Sequence, residues 1–165
     1  MKTLNQYIQE KLIINKDYSD GKMYHPKSFD ELRKIIEDIY DKLGAGTKRN
    51  PIDFNDIDVS NLDSFCNDND KGIFEGTKFK YIDISSWDVS NVTNMTRMFC
   101  WCKELESIGD ISKWDVSKVN SMIHMFFGCK KFNQDISNWD VSNVMGRVGM
   151  FYGCPIKNEY EPKFK

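Results

Sequence analysis

"SSWDVSNVTNMTRMF" at residues 85–99 returns as "SKWDVSKVNSMIHMF" at 112–126 and as "SNWDVSNVMGRVGMF" at 137–151. Trp87, Trp114 and Trp139 stand 27 and 25 residues apart. Val89, Val116 and Val141 follow each Trp by two residues, and Val92, Val119 and Val144 by five. Met98, Met125 and Met150 come next in register, then Phe99, Phe126 and Phe151, then Cys102, Cys129 and Cys154. A worn copy precedes these. "FNDIDVSNLDSF" at 54–65 puts Ile57 in the tryptophan position, and after an insertion around "CNDNDKG" the stretch "IFEG" at 73–76 matches "MFYG" at 150–153. Residues 54–157 therefore hold about four units of 25–30 residues. Such a period signals stacked repeats, each burying its apolar face against its neighbours.

Within one unit the pattern changes period. In "SSWDVS" the side chains of Trp87 and Val89 share one face of an expected strand, with Ser86, Asp88 and Ser90 on the other. Met95, Met98, Phe99 and Cys102 then fall at i, i+3, i+4 and i+7, one stripe of an expected short helix. Gly128 and Gly153 stand where such helices would end in the left-handed conformation. Trp101 occupies that place in its own copy, and a Trp does not easily take that geometry, so a different ending is expected there. The expected architecture is α/β: a short right-handed, leucine-rich-repeat-like solenoid, with one strand and one short helix per unit.

"FNQDISNWDVSNV…MFYGC" resembles the BspA-like leucine-rich repeat proteins, in particular the repeat known as DUF285 or Mycoplasma-lipoprotein type. The resemblance covers roughly residues 54–157. It implies a non-enzymatic protein. Family members are mostly surface or secreted proteins implicated in adhesion and protein binding, and similar repeats occur in phages and other mobile elements.

Residues 1–46 do not repeat and are expected to form a helical cap, with residues 47–165 carrying the repeats and a polar C-terminal end. The first repeat would otherwise expose its apolar layer. Tyr7, Ile8 and Leu12 suggest a first helix. "SFDE" at 28–31 is a capping box opening a second, whose stripe is Phe29, Leu32, Ile35, Ile36, Ile39, Tyr40 and Leu43, closed by Gly44. Arg147 and Lys157 replace apolar residues of the other copies, which suits a final layer facing water.

With 165 residues, 40% of them hydrophobic and 29% charged, the chain is long and apolar enough for one packed domain. A net charge of −2 gives no general attraction to nucleic acid or anionic membrane. The N-terminal stretch lacks the apolar run of a signal peptide, which predicts a cytoplasmic location. Five cysteines, an odd number, favour free thiols.

No nucleophile–base pair, phosphate loop or metal motif stands out, so no catalytic residue, metal or cofactor is expected. The aspartates Asp58, Asp88, Asp115 and Asp140 form a ladder. It suits either a cation such as calcium or hydrogen bonds from nearby backbone and serine. Recognition needs residues that differ between copies. Asp56, Ser86, Lys113 and Asn138, each just before the tryptophan position, form one varied polar strip. Trp101, Phe127 and Tyr152 make an aromatic ridge if exposed together. Either surface suits a protein partner. The expected function is a protein-binding module, as a monomer or bound to its partner, with an intracellular inhibitor as one form of it. The alternative is a surface adhesin.

Overall fold

The computed structural model describes residues 24–164. The helix expected around Tyr7, Ile8 and Leu12 lies outside the described residues. Helix α1 runs Phe29–Leu43. The Ser28 side chain accepts from the Glu31 N–H at 3.2 Å, and Glu31 reaches back to the Lys27 N–H at 2.7 Å. Gly44, at φ 74, ends the helix with its N–H on the Tyr40 carbonyl. Leu32, Ile35, Ile36 and Ile39 are buried, and Phe29, Tyr40 and Leu43 pack partly buried on the same core. That core is continuous from Tyr24 and α1 to Ile156.

The repeats build differently from the expected strand and helix. Strands β1 (Ile52–Asp53) and β2 (Ile82–Asp83) are two residues each and pair in parallel. The rest of the pairing is isolated bridges, among them a parallel run from Ser64 to Asn94 to Ser121 to Gly146. The stretch "SSWDVS" is a run of turns instead of a strand. Asp88 takes the Ser90 N–H at 3.0 Å, and the Trp87 N–H bonds the Ile84 carbonyl at 3.1 Å. Asp and Ser satisfied by their own neighbours compete with a strand ladder, which explains the difference.

The expected helix over residues 95–102 is absent as well. Arg97 and Trp101 lie at φ 55 and 60, which an α-helix excludes. Every second N–H leaves the unit: Met95, Arg97, Phe99 and Trp101 donate to the carbonyls of Ser121, Ile123, Met125 and Phe127 at 2.7–2.9 Å. The N–H groups between them close local turns, Met98 onto Met95, Cys100 onto Arg97 and Cys102 onto Phe99. The next unit repeats this from Met122, His124, Phe126 and Gly128 to Gly146, Val148, Met150 and Tyr152. Hydrogen bonding is satisfied without a helix, so the 3.6-residue stripe had a second solution. Both solutions bury the same residues. Met95, Met98, Phe99 and Cys102 are all buried, with Trp87, Val89 and Val92.

Each layer then stacks on the next. Phe74, Phe99, Phe126 and Phe151 lie ring on ring, with centroids 5.3, 5.4 and 5.8 Å apart and planes within about 11°. The insertion at residues 66–72 loops out, and Ile73 returns to pair with Phe65 at 2.9 Å. The Trp87 and Trp139 indoles donate to the carbonyls of Phe54 and Ile111. The Trp114 indole N–H is buried without a partner, and the connection before it is the one two residues longer.

Candidate functional site

Two sets of repeated residues turn out to serve the repeat. Asp58, Asp88, Asp115 and Asp140 each accept the N–H of the Ser two residues on, at 2.9–3.0 Å. Asp83, Asp110 and Asp135 do the same with Ser85, Ser112 and Ser137. The side chain and then the N–H of Ser112 hold Asp110 below the ordinary carboxylate range, and Ser117 and Ser137 act likewise on Asp115 and Asp135. Among the described residues, no group of three or more His, Cys, Asp or Glu side chains is placed to hold a metal ion.

These depressed values make an acid-stability prediction. A carboxyl whose folded pKa lies below its unfolded value contributes stability that is present above the unfolded pKa and lost as pH falls through the folded one. The melting temperature should therefore be level from pH 7 to about 5 and fall below about pH 4. Asp115→Asn, which keeps an acceptor for the Ser117 N–H, should lessen the fall without lowering the melting temperature at pH 7. A chelator that shifts the wild-type melting temperature, and an Asp115→Asn variant that does not respond to it, would instead mark a calcium ladder.

The cysteine column also points inward. Cys102, Cys129 and Cys154 donate to the carbonyls of Phe74, Phe99 and Phe132 at 3.0, 2.9 and 3.4 Å. All five cysteines are free thiols. Burial pushes Cys102 up to about 12 and Cys154 up to about 11, and raises Cys129 too. Thiols held protonated are poor nucleophiles and poor metal ligands.

The varied polar strip divides. Lys113, Ser86 and Asn138 are exposed and Asp56 is half-buried. Two of them brace neighbouring units: the Ser86 N–H meets the Asn55 side chain at 2.8 Å, and the Asn138 amide donates to the Ser112 carbonyl at 2.6 Å. Much of that strip's polarity is spent inside the stack.

The aromatic ridge comes together. Trp101 meets Phe127 edge-on at 5.0 Å, and Phe127 stacks on Tyr152 at 5.1 Å. Trp101 is 43% exposed and Tyr152 71%. His124 joins the row edge-on to Phe127 at 5.1 Å, and the Lys103 ammonium lies 5.4 Å from the Trp101 ring. Trp101 does take the left-handed conformation that its bulk disfavours, contrary to the sequence expectation. Its N–H is held by the Phe127 carbonyl at 2.7 Å. Its ring lies over Gly128, where a Cβ would come within 2.6 Å of it. The equivalent residues Gly76, Gly128 and Gly153 all have positive φ, as does the second such column, Arg97, His124 and Gly149. His124, unmarked in the sequence reading, is a member of the aromatic row, while the equivalent Arg97 turns to the Glu75 carboxylate. Their signal was a position four residues before each left-handed one, filled by Gly149 in the last copy.

The model of one protein family, described as "Mycoplasma protein of unknown function, DUF285", matches residues 50–162. No curated protein and no solved structure matches the chain.

Proposed function

This chain belongs to the DUF285 family, whose function is unknown, and we propose that it is a non-enzymatic, cytoplasmic repeat solenoid that binds a protein partner across the ridge Trp101–Phe127–Tyr152. The observation that carries this reading is the conformation of Trp101. An L-residue in the left-handed region costs about 1–2 kcal/mol, and Gly would relieve it. The other copies have Gly at this place. The chain instead holds a large aromatic there, exposed, beside two more. Strain of this kind persists where it positions a side chain for use. Large aromatics such as Trp and Tyr are among the residue types that anchor protein interfaces. Occlusion of a partner's own working surface, the inhibitor form of this reading, needs nothing further from the chain.

Trp101→Gly tests it. Relief of strain offsets the lost ring contact, so the melting temperature should stay within about 3 °C of wild type or rise. Affinity capture from the cells that carry the protein should retain at least one partner on wild type that is lost on the variant. The expected loss is more than tenfold, or about 1.4 kcal/mol. Identical captured sets for the two would sink the ridge as a binding site. Among the described residues no helix is long and apolar enough to cross a membrane.

A further inference from the structure

The ladder has a direction, and its two ends are chemically opposite. Through the inner units the bonds over residues 95–128 run from the N–H of one unit to the carbonyl of the next. At the first end it is carbonyls that lack a preceding unit. Arg33 of α1 supplies the missing donors: its guanidinium meets the carbonyls of Gly72 and Ile73 at 3.0 and 2.9 Å and that of Glu75 twice at 3.2 Å. At the last end the N–H groups are left over. Gly149, Phe151 and Gly153 hold the places of His124, Phe126 and Gly128. Among the described residues no acceptor stands against their N–H groups. The carbonyls of Gly149 and Phe151 are taken by Tyr152 and Cys154 in local turns. The edge therefore presents donors spaced two residues apart. The chain after it first pairs with an earlier unit, Tyr160 accepting the Ile136 N–H at 3.0 Å, and then returns beside the edge with Phe164 under Arg147.

Apolar side chains frame this edge. Val148 and Tyr152 are each 71% exposed and Met145 86%. Two basic groups stand beside it: exposed Arg147, and Lys130, whose ammonium is 3.1 Å from where a Cβ on Gly153 would stand. We propose that Gly149, Phe151 and Gly153 receive an extended segment of a partner protein as one further rung. The segment runs parallel to the last unit and offers carbonyls at every second residue. It sets apolar side chains against Val148 and Tyr152 and a carboxylate toward Arg147 and Lys130. Unpaired backbone edges are templates for such addition. A second copy of this chain does not fit head to tail, because Arg33 already holds the carbonyls it would offer. Edge to edge, two copies would set donors against donors. The proposal rests on the reading that this chain binds protein, and extends it to a surface that Trp101 does not line.

The probe is a blocked synthetic peptide with the sequence of residues 145–154, carrying Arg147→Glu and Cys154→Ser, added to the isotope-labelled full chain. Amide hydrogen exchange is read by NMR. In the free protein the N–H groups of Gly149, Phe151 and Gly153 should exchange at least about a hundredfold faster than those of His124, Phe126 and Gly128. The peptide should slow all three about tenfold or more. Val148→Lys should remove that protection at an unchanged melting temperature. Trp101→Gly should leave it intact, so loss of partner capture and loss of peptide protection report on the two sites separately. Slow exchange of the three amides in the free chain, no protection at millimolar peptide, or a concentration-dependent dimer that protects them would each overturn the proposal.

Discussion

Phe126→Ala is expected to lower stability by about 3–5 kcal/mol, the range for a buried aromatic whose cavity cannot collapse. Phe126 is fully buried and makes three ring stacks, on Phe99 at 5.4 Å, Phe132 at 4.3 Å and Phe151 at 5.8 Å. It therefore serves two layer interfaces at once, and a unit stabilised mainly by its neighbours transmits the loss to both. Phe151 ends the stack half-buried, so Phe151→Ala should cost clearly less. Urea unfolding at an unchanged m-value measures both. A Phe126→Ala loss below about 1.5 kcal/mol would mean that the layers are not packed ring on ring.

Arg33→Met is expected to cost about 2–4 kcal/mol, although Arg33 sits on a helix outside the repeats. Its guanidinium supplies donors to three carbonyls of the first unit, two of which would be served by a preceding unit had there been one. Met preserves helix propensity and apolar length but leaves the Ile73 and Glu75 carbonyls without donors, while that of Gly72 keeps the Glu75 N–H at 3.1 Å, and unsatisfied buried polar groups are expensive. Arg33→Lys keeps the charge without the planar fork, so it should recover less than half of the loss. A change within about 0.5 kcal/mol for Arg33→Met would show that water serves those carbonyls equally well. Arg33 was invisible in the sequence reading because its partners lie about forty residues away. No local pattern marks a side chain that closes a backbone ladder.

The candidate site was legible in part. Trp101, Phe127 and Tyr152 vary where the rest of the unit repeats, and the structure sets them in one row. The polar strip varies between copies in the same way, yet Ser86 and Asn138 are engaged with adjacent units. Variation between copies marks freedom from the core. It does not say whether a polar side chain spends its hydrogen bonds on solvent or on the next layer.

The sequence by itself determined the repeat, its register, its buried columns and the helix Phe29–Leu43 with both caps. These depend on side-chain identity at fixed spacing and on local backbone chemistry, which one copy shows and the next repeats. The backbone path within each unit was decided by the tertiary structure. Ile84, Trp87, Val89, Met95, Met98 and Phe99 bury equally well from a strand and helix or from a chain of turns. What separates the two is where each N–H goes. Over residues 95–101 every second one goes to the following unit, about 26 residues away, and that bond forms only once the next layer is in place.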